Sequence, residues 1–101
     1  MNKCALSVDA ELDLERLLEF GIDNFGETVA IAYFDGLVER LESIAQSPLQ
    51  YPEAENIREG YRLCVYKSHS IYFRYVSETS KIIRILNGQD IEAAIEQAEI
   101  S

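Results

Sequence analysis

Cysteine is scarce in this 101-residue chain, which has only Cys4 and Cys64. Two thiols far apart in sequence neither frame a disulfide scaffold nor complete a four-ligand zinc cage, so they read as reduced, mostly buried side chains. A disulfide stays open only if their strands prove adjacent. Histidine occurs once, at His69, and without a second histidine at ligand spacing no metal site is expected. Basic residues are few as well: nine Lys and Arg stand against eighteen Asp and Glu, a net charge of −9. So acidic a chain repels a polyanion at long range, which excludes broad or sequence-specific nucleic-acid binding unless one face reverses the sign locally. No apolar run approaches the ~20 residues of a membrane span, and the first residues lack the charged-then-apolar plan of a secretory signal. A cytoplasmic protein with no membrane partner is therefore expected. The five glycines are scattered, mostly at element ends, without phosphate-cradling spacing, and no cofactor is expected.

What is present is a chain 48% hydrophobic, enough for one small core and a single domain over residues 1–101. The charge is unevenly spread. Residues 1–59 carry thirteen carboxylates against four Lys and Arg, residues 60–86 carry five basic groups against Glu78, and residues 87–101 carry four carboxylates and no base. Only the middle segment can supply a basic face.

Periodicity divides the chain in the same places. Residues 4–8 read as a short strand, with Ser7 as the N-cap of a helix over about 8–23 whose Asp9, Glu11 and Asp13 favour its N-terminal dipole. Leu14, Leu17, Leu18 and Gly21 lie on one stripe of that helix and Glu11, Glu15 and Glu19 on another. Residues 21–26 break it. A second helix follows over about 27–46, with Ala30, Tyr33, Phe34, Leu37, Leu41 and Ile44 at three- and four-residue spacing, and the pair forms an antiparallel hairpin. Ser47-Pro48 ends it, and the polar stretch to Gly60 reads as a loop. From Tyr61 the period changes to two, the mark of strands. Tyr61, Leu63 and Val65 alternate with Arg62, Cys64 and Tyr66; Ile71, Phe73 and Tyr75 alternate with Ser70, Tyr72, Arg74 and Val76; Ile83 and Ile85 face the core while Ile82, Arg84 and Leu86 face out. The expected class is α+β, with the order β-α-α-β-β-β: an N-terminal strand and a helical hairpin packed on a twisted antiparallel sheet. Ile91, Ala94, Ile95 and Ala98, opposite Glu92, Glu96 and Glu99, add a short C-terminal amphipathic helix.

That alternation gathers Arg62, Arg74 and Arg84, one from each strand, on the uncovered sheet face with Tyr66 and Tyr72. Arginine forks pair with carboxylate or phosphate, and tyrosine offers flat contact area with a polar tip, so this face is the candidate binding site. His69, at the start of the middle strand, is a further candidate. It reads first as a turn residue, because no nucleophile or substrate proton is evident that would make it a general base.

The order of elements, with Ile57-Arg58-Glu59-Gly60-Tyr61-Arg62, Ser68-His69-Ser70-Ile71-Tyr72-Phe73-Arg74 and Ile83-Arg84-Ile85-Leu86, resembles the ParE branch of the RelE/ParE superfamily, small toxins of bacterial toxin–antitoxin pairs. The resemblance covers about residues 6–90. It implies two helices on a twisted antiparallel sheet, a cognate antitoxin (ParD-like or other) whose C-terminal segment folds on the toxin, and DNA gyrase as target. It also implies binding and not catalysis. The ribosome-dependent ribonucleases of the same superfamily carry basic residues and a terminal Tyr or His after the last strand, where this chain has Asn87-Gly88-Gln89-Asp90. A ribonuclease that depends on Arg84, and a silent toxin that only binds its antitoxin, are the alternatives. Acidic helices and a basic sheet face call for an antitoxin tail that is basic over the helices and acidic near Arg62, Arg74 and Arg84.

Overall fold

Ser7 organises the start of the fold. Its hydroxyl accepts the Ala10 N–H at 3.0 Å, capping the first helix, and donates to the Ile83 carbonyl at 2.7 Å. A computed structural model describes residues 3–87. It runs β1 (Lys3–Leu6), α1 (Val8–Phe25), α2 (Glu27–Gln46), a 3-10 turn at Pro48–Gln50, β2 (Tyr61–Tyr66), β3 (His69–Val76) and β4 (Thr79–Leu86). The C-terminal helix expected over 91–100 lies outside the described residues. The sheet has the order β1-β4-β3-β2, with β2, β3 and β4 an antiparallel meander and β1 parallel to β4. The expected α+β class therefore holds, with the first strand as the parallel member.

The helical hairpin turns at one residue. Gly26, at φ 88°, donates its N–H to the Ile22 carbonyl at 3.1 Å and ends α1 while starting α2. A side chain is strained at that φ, which suits glycine. Helix α1 thus runs two residues past its expected end, and Gly21 is no break. A Cβ there would stand 3.1 Å from the Ala30 Cβ, so Gly21 allows the close crossing of the two helices.

Ala10 and Leu14 of α1 and Leu37, Leu41 and Ile44 of α2 pack on Cys64, Ile71, Phe73, Ile82 and Ile85 of the sheet, all buried. Burial of the leucine, isoleucine and phenylalanine side chains among them contributes about 1.5–3 kcal/mol each. This core corrects the expected faces of two strands. Cys64 pairs with Ile71 and Arg62 with Phe73, so Arg62, Cys64 and Tyr66 share the helix-covered face and Tyr61, Leu63 and Val65 point away. In β4 the register shifts against Tyr72 and Phe73, with Arg84 opposite Tyr72 and Ile82 opposite Phe73. Ile83 is the extra residue of this bulge, which resets the alternation: Ile82 packs under the helices and Ile83 on the far face.

That far face is not open. Tyr61, Tyr72, Ile83 and Leu86 form a second buried cluster with Ala54, packed on by Ile57 and Leu63. The segment after α2 is held over it by hydrogen bonds from Ala54 N–H to the Tyr61 carbonyl (2.7 Å) and from Leu63 N–H to the Pro52 carbonyl (3.0 Å). Cys4 is exposed and Cys64 buried, both free thiols, on strands at opposite edges of the sheet. Strand separation excludes a disulfide between them.

Candidate functional site

Phe20 and Phe25 of α1 and Val29 of α2 are 62%, 64% and 57% exposed, although each is large and apolar. They rim a cleft of about 500 Å³ between the two helices, floored by Gly21 and Ala30 and reaching Ile85 and Asn87. The Phe20 and Phe25 rings meet edge to face at 6.4 Å between centroids. Leaving so much aromatic surface in water is unfavourable, and a rimmed apolar groove of this kind marks an interaction surface.

Asp13 brings charge to the cleft lining. Arg84 is buried and its Nε and Nη2 donate to the Asp13 carboxylate at 2.7 and 2.8 Å. The bond to Asp13 holds the guanidinium charged against the burial that opposes it. Asp13 also accepts the Ile85 N–H at 3.0 Å. Because β1 pairs with β4 only as far as Ile82, that amide sits on an open edge, and α1 supplies the acceptor a fifth strand residue would have given.

Tyr33, Ser68 and His69 also line the cleft. The Tyr33 hydroxyl lies 2.7 Å from His69 Nδ1. Burial pushes the His69 imidazole below its usual 6.5, which fits a neutral ring accepting the phenol's hydrogen at Nδ1. Tyr33 also meets Tyr66 edge to face at 5.3 Å. Two cations lie on these rings: Arg40 5.3 Å from the Tyr66 centroid, and Lys67 5.4 and 5.5 Å from those of Tyr66 and Tyr33. Tyr66 reaches this position because Gly36 of α2 has no side chain; its phenol occupies the place of a Cβ there.

The six sequence-predicted residues are therefore not one face. Tyr66 and His69 come together beside the β2–β3 turn, around Tyr33. Arg62, turned to the helix side, donates to the Tyr51 carbonyl at 2.7 Å and pairs with Glu53 at 3.4 Å. Arg84 is committed to Asp13. Tyr72 is 3% exposed in the second cluster, where burial raises its phenol above the usual 10. Arg74 alone remains exposed on the far face, 5.8 Å from the Tyr61 ring centroid. Sequence reasoning missed Tyr33, Arg40 and Lys67, and the rim residues Phe20, Phe25 and Val29. The available signal for the rim was large apolar residues off the Leu14–Leu17–Leu18 stripe, which a buried helix face did not need.

Among the described residues, no group of three His, Cys, Asp or Glu side chains could hold a metal ion, and no helix is long and apolar enough to cross a membrane.

A family model described as the ParE toxin of type II toxin-antitoxin system, parDE, matches residues 5–92. The chain is 33% identical over 87 residues to Toxin ParE1 of Caulobacter vibrioides, covering 86% of this chain and 90% of that protein. A solved structure described as a chromosomal ParDE TA system from P. aeruginosa aligns with a TM-score of 0.78, covering 88% of this chain and 98% of that one. Its 20% identity makes that likeness one of fold. With a family model spanning most of its length and a relative one-third identical over nearly all of both chains, the protein belongs to the ParE toxins of type II toxin–antitoxin systems.

Proposed function

We propose that this toxin acts in the cytoplasm by binding DNA gyrase, without catalysis, and is neutralised by a cognate antitoxin whose C-terminal segment fills the cleft between α1 and α2. The observation that carries the antitoxin half is the apolar rim of Phe20, Phe25 and Val29, exposed on a protein that is otherwise strongly acidic. An amphipathic segment laid between two helices buries such a rim. Family membership supports gyrase as the target. Binding in preference to catalysis is supported by the committed state of the groups that RNA cleavage would require. Arg84 is held by Asp13, and a neutral His69 ring that accepts from Tyr33 at Nδ1 carries its hydrogen at Nε2, which leaves it no lone pair to take the proton of a 2′-hydroxyl.

Induced expression of this chain alone, followed by colony counts and microscopy, tests the target. Loss of viability with filamentation and a DNA-damage response, relieved by co-expressing the adjacent reading frame, is expected. Arrest with cleaved messenger RNA and no DNA damage would overturn gyrase in favour of a ribonuclease, and unimpaired growth would leave a silent toxin. For the cleft, Phe25→Asp is expected to weaken antitoxin binding by at least about tenfold, measured by calorimetry. Unchanged affinity would reject the cleft as the antitoxin site.

A further inference from the structure

Lys67 occupies the two-residue turn between β2 and β3 with φ 51°, a left-handed conformation that glycine or asparagine adopts at lower cost than lysine. A residue kept in such a conformation invites a reason in its side chain. The side chain lies over two tyrosine rings, and Arg40 shares the Tyr66 ring with it. Arg40 is fixed by donating from Nη1 to the Val65 carbonyl at 3.0 Å. Tyr66 is fixed against Gly36. Among the described residues neither cation is ion-paired with a carboxylate, in a chain whose carboxylates outnumber its basic groups two to one.

We infer that Arg40 and Lys67, walled by Tyr33 and Tyr66, form a docking point for a pair of acidic side chains on the antitoxin segment that fills the adjoining cleft. The inference rests on the cleft reading given above and extends it to a specific charge match. Continuity assigns the occupant, because Tyr33 and His69 belong both to this patch and to the cleft lining. Chemistry assigns the charge. Both cations lie within 5.4 Å of one ring centroid, so a single partner segment carrying two carboxylates can meet both. Rings and the Val65 carbonyl hold the cations in place beforehand, so little side-chain freedom is lost on binding. A nucleic acid offers the same negative charge but meets a net −9 at long range. The acidic end of the antitoxin tail thus belongs at the β2–β3 hairpin, and not beside Arg62, Arg74 and Arg84.

The test uses this protein and the antitoxin encoded beside it, purified separately, with affinity measured at roughly 50 and 500 mM NaCl, where screening differs strongly. Lys67→Asn keeps a residue that accepts the turn and removes one charge; Arg40→Gln/Lys67→Asn removes both. At low salt the single variant is expected to lose about tenfold and the double variant more, with the differences from wild type collapsing at high salt. Thermal melting checks folding, and Lys67→Asn is expected to melt close to wild type. Affinities within about threefold of wild type at low salt would overturn the proposal. So would loss of growth inhibition with antitoxin affinity intact, which would place the patch on the target side. If Phe25→Asp leaves affinity unchanged while the charge variants weaken it, the cleft reading fails separately, and the segment assigned here fails with it.

Discussion

His69 is a residue whose role the surrounding side chains define. Its ring accepts from Tyr33 at 2.7 Å and stacks edge to face on that phenol at 5.5 Å, while burial disfavours the imidazolium. The folded-state value is depressed below the usual 6.5, so the unfolded chain takes up the proton first as pH falls. Stability linked to His69 is therefore complete above pH 6.5 and is lost as pH drops below it, levelling only once the folded ring protonates. Titration of the single histidine by NMR is expected to give a midpoint under 6.5. A midpoint at or above that value would refute the buried, phenol-bonded neutral ring. Tyr33→Phe tests the bond: without the hydroxyl, Nδ1 loses its donor and the midpoint is expected to rise.

At the scale of elements, close approach decides what sequence propensity alone would discourage. Glycine inside a helix costs about 1 kcal/mol relative to alanine, yet α2 keeps Gly36 where the Tyr66 phenol crosses it from β2. Gly36→Ala is expected to gain no stability, because the favourable propensity is offset when Tyr66 is pushed off Tyr33, Arg40 and Lys67. In a Tyr66→Ala background the same substitution is expected to stabilise by about 1 kcal/mol. Urea denaturation of the four members of this cycle reads the difference, and equal effects in both backgrounds would show that the crossing does not constrain α2. The turns carry a related lesson. Ser77 and Glu78 both have positive φ between β3 and β4, the geometry of a type I′ hairpin built without its usual glycine or asparagine. The end of the hydrophobic alternation puts this turn at about residues 78–80, whereas it sits at Ser77 and Glu78, with Thr79 and Ser80 already paired in β4.

At the scale of the whole molecule, the Asp13–Arg84 pair joins the first helix to the last strand across 71 positions of sequence. Both side chains are buried, and Asp13 serves the Ile85 amide as well. Asp13→Ala is expected to cost about 3–5 kcal/mol, the usual penalty of removing one partner from a buried ion pair, a large part of the stability of a domain this size. Replacing both by apolar side chains, as in Asp13→Leu/Arg84→Met, is expected to cost less than the single change, leaving mainly the Ile85 amide unsatisfied at about 1–3 kcal/mol. Denaturant unfolding checks the order, and a single variant within about 1 kcal/mol of wild type would mean the pair contributes little. Much of this architecture was legible in the sequence. Local chemistry determined the order of elements, the Ser7 cap, the bounds of α2, the switch from helical to strand periodicity at Tyr61 and the family motifs. The face each strand turns inward was not legible, because a period of two defines two rows without saying which is covered. Cys64 and Tyr61 are both buried, on opposite sides of one strand. Only the register against Ile71, the bulge at Ile83 and the loop folded over Tyr72 decided between them, and these are long-range pairings. The predicted arginine face dissolved for that reason, and a basic and aromatic cluster formed where α2 meets the β2–β3 hairpin: Tyr33 and Arg40 on one element, Tyr66, Lys67 and His69 on the other, brought together by packing that no local pattern encodes.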